Sequence, residues 1–316
     1  MPAHNIVGRG NRGVCVVMSM DIFRIDALAG KSILVTGGGT GLGKEIGKAL
    51  AARGAAVHIC GRRAGVLEAA AKEIAACGPA PARSHVCDIR DADQVERMMD
   101  AIWESGPLTG LVNNAAANFI APTKDISPRG FRAITSTVMD GSFHVTLATG
   151  KRWIAGGLKG SVVSNLVTWV WTGSAFVVPS AMAKTALHAM TMSLAVEWGP
   201  YGIRLNATAP GPFPTESAWE KLNPIPDTKS SATNADTVPL RRYGQIKELQ
   251  NLIVFLLSDG CDYLTGQTIA IDGGQHLAGP GTFADLSALT DEQWRAAREA
   301  IQKSTQREKA QRTQGS

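Results

Sequence analysis

A doubly wound α/β sheet, with parallel strands and helices on both faces, is the fold that this sequence of 316 residues predicts. Three observations carry the prediction. Strand-like runs alternate strictly with segments of helical periodicity along the chain. Those runs are apolar throughout rather than at every second residue, as in strands covered on both faces. The first run also leads directly into a glycine-rich turn that opens a helix. No composition break, linker or internal repeat divides the chain, so residues 21–279 read as one domain. Residues 1–20 read as a disordered extension, with Met18 and Met20 as alternative starts. Residues 280–304 read as a helical extension and 305–316 as a basic tail.

The elements follow in order. Ser32 to Val35 is a short β run, and Leu42 to Ala52 has the apolar spacing of a helix stopped by Gly54. Ala55 to Cys60 is the next buried strand, followed by helical signal from Val66 to Cys77. A strand at His85 to Cys87 precedes a helix at Asp91 to Trp103. Then come a strand at Gly110 to Asn113, a helix at Gly141 to Ala155 and a strand at Ser161 to Asn165. A long helix covers Pro179 to Trp198, and a strand covers Ile203 to Ala209. Past a looser, proline-rich stretch, a helix spans Ile246 to Leu257 and a last strand Gln267 to Ile271.

Hydrophobic residues make up 44% of the chain and charged ones 19%, the balance of a globular protein with an ample core. The net charge of +5 owes much to the C-terminal tail. It suits phosphate-bearing ligands, but no dense basic stripe with interleaved aromatics points to nucleic acid. Five scattered cysteines show neither a CxxC pair nor spacing suited to metal, and read as reduced thiols of a cytoplasmic protein. No apolar run is long enough to span a membrane. His58, His85, His144, His188 and His276 fall on strands, helices or a late loop without evident partners, and read as structural.

The chemistry starts at Thr36 to Gly43, TGGGTGLG, between the first strand and the first helix. Glycines at Gly37, Gly38, Gly39 and Gly41, with Thr40 and Leu42, let the backbone turn tightly against a pyrophosphate resting on the helix N-terminus. This is the cofactor turn of a Rossmann-type sheet. An NAD site carries an acidic residue at the end of the second strand, where this chain has Gly61, Arg62 and Arg63. Two guanidinium groups there suit the 2′-phosphate of NADP(H). Asp88, in CDIRD after the third strand, is placed for the adenine amino group, and Asn114 lies in the small-residue run NNAAAN after the fourth.

Together these motifs resemble the short-chain dehydrogenase/reductase family from Ile33 to Gly274: TGGGTGLG, NNAA at Asn113 to Ala116, Lys184, PGP at Pro210 to Pro212, and GQTIAIDGG. Most members place a tyrosine four residues before the lysine and an asparagine three before the glycine matching Gly141. This chain has Ser180 and Val138 there. Both departures, with NNAAANFIAPT, TGSAFVVPSAMAK, LAVEWGPYGIRLN and GTFADLSALTDEQW, resemble the mitochondrial-type 2,4-dienoyl-CoA reductases within that family. That branch draws its tyrosine from the position of Trp169, so the phenol is absent from both places.

The resemblance implies fatty acid β-oxidation chemistry on an acyl-CoA. Hydride goes from NADPH to the far end of a conjugated diene, and the thioester oxygen is held by the tyrosine position and Asn118. It implies that Lys184 holds the nicotinamide ribose, that Pro210, Gly211, Pro212 and Phe213 line the nicotinamide, and that the assembly is a homotetramer. It also implies coenzyme A contacts from Arg62, Arg90, Asn118, Phe119, Ser127 and Lys221, the last a lysine in place of the branch's arginine. Trp169 is either an indole donor to the developing oxyanion or an apolar wall for the acyl chain. Ser180 is a second candidate acid. Two other readings stay open, a ketone or alcohol oxidoreductase using Ser180 or water, and an NADP-binding protein with little turnover. No metal site is expected.

Overall fold

The computed structural model describes residues 23–214, 234–278, 286 and 288–313. Seven parallel strands form one sheet in the order β3-β2-β1-β4-β5-β6-β7. They are β1 Ser32–Thr36, β2 Ala56–Gly61, β3 Ala82–Val86, β4 Gly110–Asn113, β5 Gly160–Asn165, β6 Ile203–Pro210 and β7 Thr268–Ile271. The order reverses direction after β1, so β1 and β4 part at their C-terminal ends and leave the crevice in which this architecture binds ligands.

Helices cover both faces. On one side lie α1 (Gly41–Ala51), α2 (Ala64–Ala75) and α8 (Ile246–Leu257); on the other lie α3 (Ala92–Trp103), α5 (Gly141–Ala155) and α7 (Val178–Trp198). The two-residue repeat of a strand decides which cluster each side chain joins. Ile33 and Val35 of β1 pack with Leu50, Ile74 and Ile253, whereas Leu34 between them packs with Met99, Trp153 and Leu205. Trp153 is wholly buried, and its indole N–H donates to the Leu108 carbonyl at 2.6 Å.

Four elements depart from the sequence-based expectation. The third strand begins at Ala82 and ends before Cys87, because β3 is an edge strand and mixes exposed with half-buried residues. An unexpected helix, α4 (Pro128–Thr135), is opened by Ser127, whose hydroxyl accepts from the Gly130 N–H at 3.1 Å. Ser-Pro at N-cap and N1 is its legible signal, and Gly130 obscures it. Short helix α6 (Trp169–Thr172) is likewise unexpected. A π-helical turn, Ser136–Asp140, joins α4 to α5. The last helix, α9 (Asp291–Thr313), runs through the stretch expected to be a basic tail. No helix among the described residues is long and apolar enough to cross a membrane.

His58 and His85 carry no sequence signal of a pair, yet they face each other across β2 and β3. Their Nδ1 and Nε2 atoms are 2.9 Å apart and the rings are stacked. Burial, then the charges of His85 and Arg83, push the His58 imidazole down to about 4. In the unfolded chain it takes a proton near pH 6.5. Folding therefore releases a proton between those values, and stability rises with pH across that window. Acidification from neutral pH to about 4 is expected to cost about 3 kcal/mol from this residue, at about 1.4 kcal/mol for each tenfold change in proton affinity. Urea denaturation at a series of pH values checks this: the slope should flatten in His58→Leu, and an unchanged slope refutes it.

Candidate active site

The turn between β1 and α1 lacks side chains because backbone passes close to backbone there. Gly37 sits at φ +66°, and a Cβ on it would lie 2.9 Å from the Ala115 Cα. One on Gly43 would lie 2.4 Å from the Gly37 carbonyl oxygen and 2.5 Å from Asn114 Nδ2. Thr40 caps α1 without a side-chain bond, and no acidic residue occupies the first turn. The leading amides of α1 are thus available to an anion. A bare turn on a free helix N-terminus fits a dinucleotide pyrophosphate.

A chain of side-chain hydrogen bonds ties the strand ends around this turn. Thr36 Oγ1 accepts from the backbone N–H groups of Asn114 and Ala115, each at 3.0 Å. Asn114 Nδ2 donates back to the Thr36 carbonyl at 3.1 Å, while its Oδ1 accepts from Asn165 Nδ2 at 3.1 Å. Asn165 Oδ1 in turn accepts from Thr208 Oγ1 at 3.1 Å. The Lys184 ammonium, reaching down from α7, donates to the Asn165 carbonyl. Lys184 is 5% exposed, and that burial pushes its pKa from the usual 10.5 down to about 8.

A cavity of about 770 Å³ opens above these groups. At its cofactor end it is lined by Gly37, Gly39, Thr40, Gly41 and Leu42, then by Arg62 and Arg63, with Asp88 and Asn114 opposite. Gly38 is not in the lining; a Cβ on it would meet Ile59 of β2 at 2.4 Å, so its place is structural. Asp88 is engaged by its neighbour. Arg90 Nε donates to the two carboxylate oxygens at 2.8 and 3.0 Å and Nη2 adds a third contact. The Arg90 hydrogen bond, with lesser help from its charge and that of Arg62, holds the Asp88 carboxyl below its usual range. Pro210, Gly211, Pro212 and Phe213 line the far side, next to Lys184.

The same cavity brings Asn118, Phe119, Trp169 and Ser180 together around Lys184. The Asn118 Oδ1 is buried without a partner, and its side chain makes no hydrogen bond among the described residues. Val138 fills the place of the family's asparagine with an apolar contact, buried among Ile134, Leu166 and Leu187. The π turn that carries it sets Thr137 in the cavity wall, a position that no sequence signal marks. Ser127 lies outside the lining, its hydroxyl occupied in capping α4. Arg90 lines the cavity but is bound to Asp88. Lys221 lies outside the described residues.

Three members of the hydrogen-bonded chain, Thr36, Asn165 and Thr208, escape sequence reasoning, although Asn165 is a polar residue closing an otherwise apolar strand. The histidines are not without partners. Besides the His58–His85 pair, His144 meets the Ile89 carbonyl, His188 meets Thr268, and His276 meets Asp272 at 2.7 Å. None of Tyr201, Tyr243 and Tyr263 lines the cavity. Among the described residues no cluster of three or more His, Cys, Asp or Glu is arranged to hold a metal.

Comparison with known proteins agrees with this geometry. Residues 37–276 match the family described as Enoyl-(Acyl carrier protein) reductase. The Probable 2,4-dienoyl-CoA reductase decr-1.2 [(3E)-enoyl-CoA-producing] of Caenorhabditis elegans is 37% identical over 295 residues, covering 92% of this chain and 95% of that protein. Thirty-eight residues follow Ala278, about 12% of the chain, so that alignment takes in part of the C-terminal segment. The Probable 2,4-dienoyl-CoA reductase [(2E)-enoyl-CoA-producing] of Bacillus subtilis is 38% identical over 254 residues, 78% of this chain and 97% of that protein. A crystal structure of a short chain dehydrogenase from Bacillus anthracis superposes with a TM-score of 0.70 at 38% identity, over 78% of this chain and 96% of that one. The glycine turn, the buried lysine and the sheet order are thus those of a nicotinamide-dependent oxidoreductase, and the chain belongs to the short-chain dehydrogenase/reductase family.

Proposed function

We propose that this protein is an NADPH-dependent reductase of conjugated acyl-CoA thioesters, of the 2,4-dienoyl-CoA type. One observation carries the reading. The cavity holds a buried lysine and an asparagine with no other side-chain partner, but no tyrosine. Reducing an isolated ketone requires an acid to protonate the oxygen, and Ser180 is too weak an acid without a base beside it. Reducing a conjugated thioester requires donors aimed at an oxyanion and a carbon proton that water can give, with no acid at the oxygen.

A bound nicotinamide would supply the hydride, to the δ carbon of the diene. The displaced electron pair moves through the conjugated system to the thioester oxygen. There the Asn118 amide N–H, with the Trp169 indole N–H, donates to the enolate without surrendering a proton. Water protonates the α carbon, and the remaining double bond stays between the β and γ carbons. Arg62 and Arg63 at the end of β2 bind the 2′-phosphate that distinguishes NADPH. Lys184 holds the nicotinamide ribose. Exposed apolar residues on α5 (Phe143) and α7 (Met182, Met192, Val196) support a homotetramer joined through these helices.

Four measurements test this. Purified protein with NADPH and 2,4-dienoyl-CoA thioesters of several chain lengths should oxidise NADPH; binding of NADPH without oxidation at any length would sink the reading. Asn118→Ala should lower kcat by about 10²–10³ with NADPH affinity retained. Ser180→Ala should change kcat little, whereas complete loss would favour a ketone reductase. Replacing Arg62 and Arg63 together by Ala should raise KM for NADPH by about 10- to 100-fold, the worth of a charge-assisted hydrogen bond, and spare NADH.

A further inference from the structure

Two segments outside the strands contribute to the cavity wall on the acyl side. One runs from Asn118 to Asp125 and lines the cavity with Asn118, Phe119 and Ile120; the other runs from Trp169 to Val177 and lines it with Trp169. What fixes them relative to each other is the C-terminal helix. A Thr290–Gln293 capping box opens α9, the Gln293 side chain accepting from the Thr290 N–H at 2.8 Å and the Thr290 hydroxyl from the Gln293 N–H at 3.3 Å. One turn in, Trp294 is buried and its ring lies 4.5 Å from that of Phe176. Ile120, Val177, Leu286 and Ala297 complete the cluster, and Trp169 packs against it.

Polar contacts repeat the same connection. Lys124 pairs with Asp291 at 3.1 Å, and Arg298 pairs with Asp125 at 3.0 Å. Phe176 sits at φ +64°, a region that side chains seldom enter. From there its carbonyl accepts from the Ala121 N–H at 2.9 Å, joining the two segments directly. Strained backbone of this kind persists only where its surroundings over-determine it. Here the surroundings are α9. Among the described residues none of α9 lines the cavity, yet α9 contacts the segments carrying both Asn118 and Trp169.

We propose that Trp294 is a positioning residue for the reduction: docking α9 onto Phe176 and Ile120 sets the separation of Asn118 and Trp169 across the bound thioester. The proposal rests on the thioester reading given above, and its test separates the two. In the full-length protein, Trp294→Ala should lower kcat/KM for a 2,4-dienoyl-CoA by about 10- to 100-fold, the cost of misplacing groups by about 1 Å. Affinity for NADPH should stay unchanged, because Gly37, Arg62 and Arg63 at the other end of the cavity are not among the residues of this cluster. Trp294→Phe, which keeps an aromatic ring against Phe176, should recover most of the loss. Hydrogen exchange on the protein with NADPH gives the readout independent of turnover. Amides at 118–125 and 169–177 should exchange faster in Trp294→Ala, while those of β1 and α1 keep their wild-type rates. Wild-type exchange at those two segments, or NADPH affinity lost in parallel with turnover, overturns the proposal. Wild-type protein that oxidises no NADPH while Trp294→Ala still loosens both segments would reject the thioester reading and with it a role in reduction, leaving only that α9 fixes the two segments.

Discussion

Asn114 donates two hydrogen bonds to Thr36 across the gap where the sheet order reverses, and the working end of the molecule depends on them. Parallel strands part at this point, so their last carbonyls and amides have no ladder partners and must find others. Asn114 supplies them with one side chain, donating to β1 and accepting from Asn165 at the end of β5. Thr208 of β6 continues the chain. Four strand ends are thereby held in a fixed relation, with the glycine turn pressed so closely on Asn114 that no Cβ fits at Gly43.

Lys184 is the charged group this frame organises. Its ammonium is buried and has a carbonyl rather than a carboxylate as partner, so desolvation is not offset by an opposite charge. A cation held in that way is poised for hydroxyls and phosphate-bearing ligands rather than for an internal ion pair. The residues around it explain how the family's usual phenol can be absent. Val138 sits in an apolar cluster where an asparagine would need partners, and Ser180 faces the cavity in place of the tyrosine. Asn118 and Trp169 line the same cavity.

The two ends of the cavity are held differently. Backbone and short polar side chains fix the end at the glycine turn, through Thr36, Asn114 and Asn165. Packing of large apolar rings fixes the other end, through Trp294, Phe176 and Trp169. Rings give broad contact without directional bonds, so that wall is the part of the site whose shape follows most directly from side-chain size.

By itself the sequence determined the parallel sheet and the position of the glycine turn, because these follow from local periodicity and from glycines such as Gly37 and Gly43 where a Cβ would clash. Lys184 is legible through the family resemblance. Apolar runs such as Ile33 to Val35 and the turn at Gly37 to Gly43 are legible from neighbours a few residues away. Tertiary structure alone decided the pairing of His58 with His85, the capture of Arg90 by Asp88, and the capping role that takes Ser127 out of the cavity. It also decided that α9, remote in sequence, packs in one cluster with Ile120 and Trp169. Each of these depends on which residues meet across strands or loops far apart in the chain, and side-chain hydrogen bonds and ring packing carry no period that a linear pattern could reveal.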